Sequence, residues 1–174
     1  MRLKGKHVGF LIGPGFEDLE FWVPYMRLLE EGAKVTTIGD GAGIDYTSKH
    51  GCLTASSDVE AARVTADEFD GVVIPGGWCP DKIRRSREIQ RLVRETYEAG
   101  KTVGMICHAG LVGISAGIVS GHRATGSEGI KDDLVNAGAT WVDEAAFVDG
   151  PLVCGRVVAD IPVFCRELVG KLSG

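Results

Sequence analysis

The sequence predicts an α/β fold, a three-layer α/β/α sandwich in which helices cover both faces of a mostly parallel sheet. Apolar runs of strand length alternate along the chain with longer segments of helical hydrophobic periodicity. Glycine-rich turns follow several of these runs, and 25 of the 174 residues are glycine. No linker, repeat or low-complexity segment divides the chain, so we expect residues 1–174 to form a single domain.

The first part of the chain begins this alternation. The apolar run at residues 7–12 predicts a buried strand, and residues 18–31 carry the spacing of an amphipathic helix. Pro24 lies inside that helix and predicts either a kink or a later start. Residues 34–38 predict a second strand, and the Gly-, Thr- and Ser-rich residues 43–56 predict a short β excursion.

The rest of the chain continues the pattern. Its apolar runs predict strands at residues 71–74, 102–106, 123–125, 146–148 and 152–154. Its periodic segments predict helices at residues 86–98, 109–116, 130–137 and 160–172. The helix at 86–98 has the clearest signal, because Ile89, Leu92 and Thr96 follow helical spacing.

Composition excludes several protein classes. The apolar share of 44% is too high for a disordered chain, and no apolar run reaches the length of a membrane helix. The basic residues 1–6 precede only a short apolar run, which indicates a first strand rather than a signal peptide. A net charge of −5 argues against nucleic acid as an obligate partner. We therefore expect a cytoplasmic protein that binds no membrane.

The cysteines point to the same compartment. There are five, an odd number, and none forms a C-x-x-C pair, which is typical of reduced thiols in the cytoplasm. Their spacing to histidine suits no zinc site, so we expect no metal and no cofactor. We expect Cys52, Cys154 and Cys165 to be buried, whereas Cys79 is a candidate for a second reactive thiol.

The candidate site lies where the carboxyl ends of the strands meet. In parallel sheets ligands bind at this edge, which here carries the loops 13–18, 75–82 and 107–110. Cys107 ends a predicted strand immediately before a helix, a position that resembles a nucleophile elbow. The helix N-terminus and the neighbouring His108 predict a lowered thiol pKa. The alternative is a buried cysteine at the end of a strand.

The other two loops supply groups that could serve this thiol. Glu17 and Asp18 suit the start of a helix as caps, and one of them could also face Cys107. The loop lacks the third glycine of a dinucleotide-binding fingerprint. The backbone N–H groups of Gly77 and His108 could form an oxyanion hole, although an ordinary tight turn explains the glycines equally well.

Together the loops resemble the ThiJ/PfpI superfamily, and in particular its intracellular-protease-like branch. The resemblance implies the flavodoxin-like fold of class I glutamine amidotransferases. It extends over nearly the whole chain in the expected order. The matching segments are GFEDLE at 15–20, SKHG at 48–51, DGVVIPGG at 70–77, ICHAG at 106–110, IKDDLVNAGATWVDE at 130–144, VDGPLV at 148–153 and PVFCREL at 162–168.

The resemblance implies a role for each matching residue. Cys107 would be the nucleophile, His108 its adjacent histidine, and Glu17 the acid that contacts the sulfur. Gly77 and the His108 N–H would form the oxyanion hole. Asp81, where the family pattern has Glu, would complete a triad in a neighbouring subunit.

Further positions are expected to shape the pocket or depart from the pattern. Gly76, Trp78 and Ala109 are candidates for the substrate pocket. Ala109 replaces a glycine of many relatives, and Met105 stands where such elbows prefer a small residue.

The resemblance implies a cysteine hydrolase-like stress enzyme that forms a homodimer or an assembly of dimers. Its substrate would be a reactive carbonyl or glycated adduct, as for a deglycase or glyoxalase, or a peptide. We rank carbonyl or glycation repair first, because a small domain with a small pocket suits small substrates. The alternative is a non-enzymatic oxidation sensor or chaperone whose Cys107 is oxidised to a sulfinate.

Overall fold

A seven-stranded sheet forms the centre of the molecule in the computed structural model, which describes residues 1–174. The strands are β1 (His7–Leu11), β2 (Lys34–Gly39), β3 (Asp45–Thr47), β4 (Thr54–Ser56), β5 (Val59–Glu60), β6 (Gly71–Ile74), β7 (Thr102–Ile106), β8 (Arg123–Ala124), β9 (Thr140–Trp141), β10 (Ala146–Asp149) and β11 (Leu152–Gly155). The order in the main sheet is β10-β11-β7-β6-β1-β2-β5. All neighbours are parallel except β10 and β11, which confirms the predicted mostly parallel sheet.

Helices cover both faces of this sheet. They are α1 (Asp18–Glu30), α2 (Cys79–Ile83), α3 (Arg87–Glu98), α4 (Gly110–Ala116), α5 (Lys131–Asn136) and α6 (Ile161–Ser173). Gly104 faces Phe164 and Leu168 of α6, whereas the next residue, Met105, faces Gly113 of α4. Since successive side chains of a strand point to opposite faces, α6 and α4 lie on opposite sides of β7. The three-layer prediction is therefore confirmed.

Local sequence signals explain where the long helices begin. The Ser86 side chain accepts a hydrogen bond from the Ile89 N–H at the start of α3, and Pro162 lies in the first turn of α6. Helix α1 begins at Asp18 despite Pro24, so the alternative of a later start is wrong. None of the six helices is long and apolar enough to cross a membrane.

Several short elements differ from the sequence expectations. Helix α2, directly after the Gly76-Gly77 turn, was not foreseen, because five residues are too few to show helical periodicity. The β excursion is the antiparallel hairpin of β3 and β4. The strand expected at 123–125 is outside the main sheet and pairs with β9.

The topology brings three loops together. Strands β1, β6 and β7 are adjacent at the centre of the sheet and run in the same direction. Their carboxyl ends lead into residues 12–17, 75–78 and 107–109, which therefore meet at one edge.

Candidate active site

Cys107 lies at a strained turn between β7 and α4. Its φ of 62° makes it the only non-glycine residue with a positive φ. This conformation is costly for a side chain with a Cβ, and such strain concentrates at functional sites. Residues 107–109 form a short 3-10 turn before α4, which leaves the thiol partly buried rather than enclosed in the core. The geometry is that of a nucleophile elbow.

The acid that faces this thiol is Glu20 rather than Glu17. The Glu17 carboxylate caps α1, because its Oε2 accepts hydrogen bonds from the N–H groups of Leu19 and Glu20, both at 2.9 Å. Glu20 is fully buried, accepts a hydrogen bond from the Gly76 N–H at 2.9 Å, and interacts with the Cys107 thiol. The expectation that Glu17 contacts the sulfur is therefore wrong.

Burial raises the pKa of both the Glu20 carboxyl and the Cys107 thiol. Desolvation and the negative charge of Glu17 raise the pKa of Glu20 to about 7. Desolvation and the charge of Glu20 raise the pKa of the Cys107 thiol to about 12. The expected lowering of the thiol pKa is therefore wrong in the free protein, since burial outweighs the helix N-terminus. A carboxyl with a pKa near 7 is instead suited to take the thiol proton.

Two backbone N–H groups lower the pKa of the Cys107 thiol and so oppose the effect of burial. The amides of Gly77 and His108 interact with the Cys107 sulfur and favour the thiolate. An anion near this sulfur, including the oxyanion of a tetrahedral intermediate, would meet the same donors. The structure thus brings together the residues expected to form the oxyanion hole.

Close contacts with neighbouring residues explain why the loop after β6 carries glycine at positions 76 and 77. A Cβ on Gly76 would lie 2.3 Å from a Glu20 oxygen and 2.6 Å from the Cys107 Cβ. Gly77 has a φ of 78°, and a Cβ there would lie 2.5 Å from the Gly15 carbonyl oxygen. Gly76 lies beneath the thiol, so it shapes the contact between the two acids rather than a wall of the pocket.

His108 contacts the nucleophile directly. Its Nδ1 lies 3.3 Å from the Cys107 sulfur. Burial and the nearby Lys49 ammonium lower the pKa of His108, so the imidazole is neutral at neutral pH. A neutral imidazole at this position can accept a proton from a water molecule.

The thiol opens into a cavity of about 460 Å³. Its walls carry two further basic groups, Lys49 and His50, and an exposed aromatic ring, Trp78. The Lys49 ammonium is 5.1 Å from the centre of the Trp78 ring, within the range of a cation–π contact. Ala109 is fully buried and does not line the cavity, so its expected place in the pocket is wrong.

Asp81 does not contact His108 within the chain. Its carboxylate pairs with Arg85 at 2.9 Å and is largely exposed. Asp81 and His108 nevertheless border the same surface depression, together with Trp78 and Leu111. Any Asp81–His108 contact therefore has to form between subunits.

The remaining cysteines lie away from this chemistry. Cys79 is fully buried, and burial raises its pKa, so the expectation of a second reactive thiol is wrong. Cys154 and Cys165 are buried as expected, whereas Cys52 is exposed in the turn between β3 and β4. No disulfide links any of the five cysteines.

One group of side chains has metal-ligating atoms within 4.8 Å of one another: Glu17, Asp18 and His50. However, Asp18 already accepts hydrogen bonds from Ser48 Oγ at 2.7 Å and from His50 Nδ1 at 2.8 Å. The Glu17 carboxylate caps α1. These lone pairs are therefore engaged within the protein, and the group is better described as a hydrogen-bond network than as a metal site.

Sequence reasoning missed Glu20, Lys49 and His50. A signal for Glu20 was present, because it shares the buried face of α1 with Phe21 and Pro24. A carboxylate on the apolar face of a helix requires a partner. Lys49 and His50 reach the site through the β3–β4 hairpin, a long-range contact that local spacing does not reveal.

The chain is similar to known proteins over almost its whole length. A model described as the DJ-1/PfpI family matches residues 6–171. A protein of Pyrococcus abyssi named as a deglycase is 42% identical over 158 residues, 91% of this chain and 94% of the relative. Protein/nucleic acid deglycase 2 of Escherichia coli is 36% identical over 169 residues, 97% of this chain and 98% of the relative.

A solved structure gives the same picture at the level of the fold. It is a two-domain protein of Anabaena variabilis that contains DJ-1/ThiJ/PfpI-like and ferritin-like domains. It matches with a TM-score of 0.94 at 39% identity, over 96% of this chain and 48% of that one. The match therefore corresponds to about half of the larger protein.

The raised pKa of Glu20 predicts how stability depends on pH. Its ordinary value is 4.5 and its folded value about 7, so between these values the folded protein binds one more proton than the unfolded chain. The free energy of unfolding should therefore fall by roughly 2 to 3 kcal/mol between about pH 5 and pH 8 from this residue. We expect Glu20→Gln to remove this fall, measured by urea unfolding across that range.

Glu98→Gln serves as the control, because Glu98 is exposed. It should keep the wild-type pH dependence. A Glu20→Gln variant whose stability falls as steeply as that of the wild type would contradict the assigned pKa.

Proposed function

The chain belongs to the DJ-1/PfpI family, and on that premise we propose that it is a cysteine-dependent deglycase. Its substrates are the early adducts that 2-oxoaldehydes such as methylglyoxal form with amines and thiols. The observation that carries the proposal is the buried Cys107–Glu20 pair, which lies beside the Gly77 and His108 amides at a cavity of about 460 Å³. Relatives that are named deglycases support the same class of substrate.

Glu20 is assigned as the base that generates the nucleophile. As the Cys107 sulfur bonds to C1 of an amine adduct, the thiol proton moves to the Glu20 carboxylate. The C1–N bond breaks, and the amine leaves with that proton. This order removes the need for a free thiolate, which the raised thiol pKa disfavours.

His108 and the two amides serve the later hydrolysis. After rearrangement to a thioester, the neutral His108 takes a proton from the attacking water. The Gly77 and His108 N–H groups stabilise the oxyanion of the tetrahedral intermediate. The sulfur then leaves as a thiol, and the product is a 2-hydroxy acid. One water is consumed, and no external oxidant is needed.

The Asp81–Arg85 pair and the raised thiol pKa favour adduct hydrolysis over the two alternative functions. Peptide hydrolysis by a triad would require Asp81 to orient His108, yet Asp81 pairs with Arg85 in the same chain. An oxidation sensor requires a thiolate, which attacks the peroxide oxygen, and burial opposes thiolate formation at Cys107. Both alternatives are therefore ranked below the deglycase.

The assembly and location also remain part of the proposal. We infer a homodimer or an assembly of dimers, with residues 1–174 as one domain in each subunit. Leu19, Val23 and Met26 support this, because they form an exposed apolar stripe at helical spacing on α1. The unpaired cysteines support a cytoplasmic location.

Cys107→Ser should abolish hydrolysis of the adducts. The purified protein is mixed with methylglyoxal adducts of N-acetyl-lysine and of a small thiol, and the released 2-hydroxy acid and free amine are measured. A fluorogenic peptide is tested in parallel. Cys52→Ser is the matched control, since it removes an exposed thiol outside the cavity lining and should keep full turnover. Full turnover by Cys107→Ser would refute the mechanism.

Val23→Glu on α1 should reduce the size of the assembly. A charge at the centre of an apolar contact is left without a partner, so the subunits separate. Light scattering should then give a wild-type mass of at least twice 18.5 kDa and a smaller mass for the variant. Val135→Glu, at an exposed position on α5, is the control and should keep the wild-type mass. A Val23→Glu variant of wild-type mass would exclude α1 as the interface.

A further inference from the structure

A second imidazole, that of His50, lines the cavity in addition to His108. His50 lines the same cavity as Cys107 and His108, and its side chain is 61% exposed. Its Nδ1 lies 2.8 Å from Oδ2 of Asp18, whose side chain is only 12% exposed. An imidazole paired with a carboxylate through one nitrogen leaves the other nitrogen to exchange protons.

The pair is fixed in position by the loops on both sides. Ser48 Oγ donates to Asp18 Oδ1 at 2.7 Å and in turn accepts from the Leu53 N–H at 3.2 Å. The Lys49 N–H donates to the Phe16 carbonyl at 2.7 Å. The turn that carries His50 is therefore anchored to the start of α1, although His50 itself is exposed.

Two of the other ionisable groups that line the cavity, His108 and Glu20, are already engaged with the sulfur. His108 Nδ1 lies against the thiol, and Glu20 holds the Gly76 N–H and faces the same thiol. His50 Nε2 has no hydrogen-bond partner in the chain. It is thus a free proton-exchanging nitrogen on the cavity wall.

The proposed deglycase reaction contains a step without an assigned group. Once the sulfur is bound to C1, a hydroxyl and a hydrogen lie on C1 and a carbonyl lies on C2. Formation of the 2-hydroxy acid requires that C1 be oxidised to a thioester and C2 be reduced to an alcohol. The oxidation of C1 and the reduction of C2 compensate each other, so no external oxidant or reductant is needed. One proton leaves C1, an enediol forms, and a proton is added at C2.

We propose that His50, oriented by Asp18, carries this proton from C1 to C2. His50 Nε2 removes the C1 proton, and the C1–H electron pair forms the C1=C2 bond of the enediol. Nε2 then returns a proton to C2, the proton of the C1 hydroxyl passes to the C2 oxygen, and the C1–O bond becomes the thioester carbonyl. Asp18 holds the Nδ1 proton throughout and is a positioning residue. This inference rests on the proposed deglycase function.

Three observations support the assignment of His50. His50 and Cys107 share one cavity, Nδ1 is bound to a buried carboxylate, and Nε2 is free. The Lys49 ammonium lines the same cavity and lowers the electrostatic cost of an enediolate. No other histidine lines this cavity except His108.

His50→Asn tests the assignment, because an asparagine amide can keep the donor to Asp18 while Nε2 is lost. We expect kcat for hydroxy-acid formation to fall about 100-fold or more, in the range of general acid–base catalysis. The rate of Cys107 alkylation by iodoacetamide should stay unchanged, since the thiol and Glu20 are intact. Asp18→Asn should lower kcat by a smaller factor and leave KM unchanged.

His122→Asn is the matched control. His122 also pairs with an aspartate through Nδ1, at 2.9 Å from Asp149, but it lies outside the cavity. Its substitution should leave kcat unchanged. This comparison separates the loss of a proton carrier from the loss of a histidine–aspartate hydrogen bond.

The deuterium content of the product after turnover in D₂O distinguishes a proton-carrying role of His50 from a purely structural one. A proton carried by an exposed imidazole exchanges with solvent, so the wild-type product should contain deuterium at C2. A product without deuterium, or a His50→Asn variant with wild-type kcat, would overturn this inference alone. A wild-type protein that forms no hydroxy acid from any adduct would overturn the deglycase function as well.

Discussion

The site depends on one interaction, the contact between the Cys107 thiol and the buried Glu20 carboxyl. Both acids are desolvated, the Glu17 charge also raises the pKa of Glu20, and Glu20 raises the pKa of the Cys107 thiol, so the pair resists carrying two negative charges. A thiol beside a carboxyl of pKa near 7 can lose its proton at the moment of attack. The surrounding groups are arranged around this contact: two amides favour negative charge on the sulfur, and the His108 imidazole contacts it.

The fold makes this contact at one edge of the sheet, where the carboxyl ends of three neighbouring strands lie close together. Strands β1, β6 and β7 are adjacent, so α1, the Gly76-Gly77 turn and the elbow converge. Only a glycine at position 76 leaves room for the Glu20 carboxyl and the Cys107 Cβ on the same side of the backbone. The positive φ of Cys107 then directs the thiol toward the cavity. Packing of the central sheet is therefore what holds the two acids together.

Much of this could be predicted from the sequence, and the failures have physical reasons. Alternating strands and helices located Cys107 at the active edge, since strand ends are local features. The resemblance assigned the sulfur contact to Glu17, and local spacing does not show that Glu17 caps the first amides of α1 while Glu20 faces the thiol. The thiol pKa was misjudged because burial is a tertiary property. His50 was missed because its link to Asp18 spans 32 residues.

The pH dependence of Cys107 alkylation most directly tests the proposed transfer of the thiol proton to Glu20. Iodoacetamide is added to the wild type and to Glu20→Gln, and modification of Cys107 is followed by mass spectrometry. The wild-type rate should rise as pH passes about 7, where Glu20 loses its proton and can accept that of the thiol. The rate of Glu20→Gln should show no rise centred near pH 7 and should follow only the ionisation of the thiol itself, whose pKa falls when the Glu20 charge is removed. Equal rates for the two proteins at neutral pH would contradict the role assigned to Glu20.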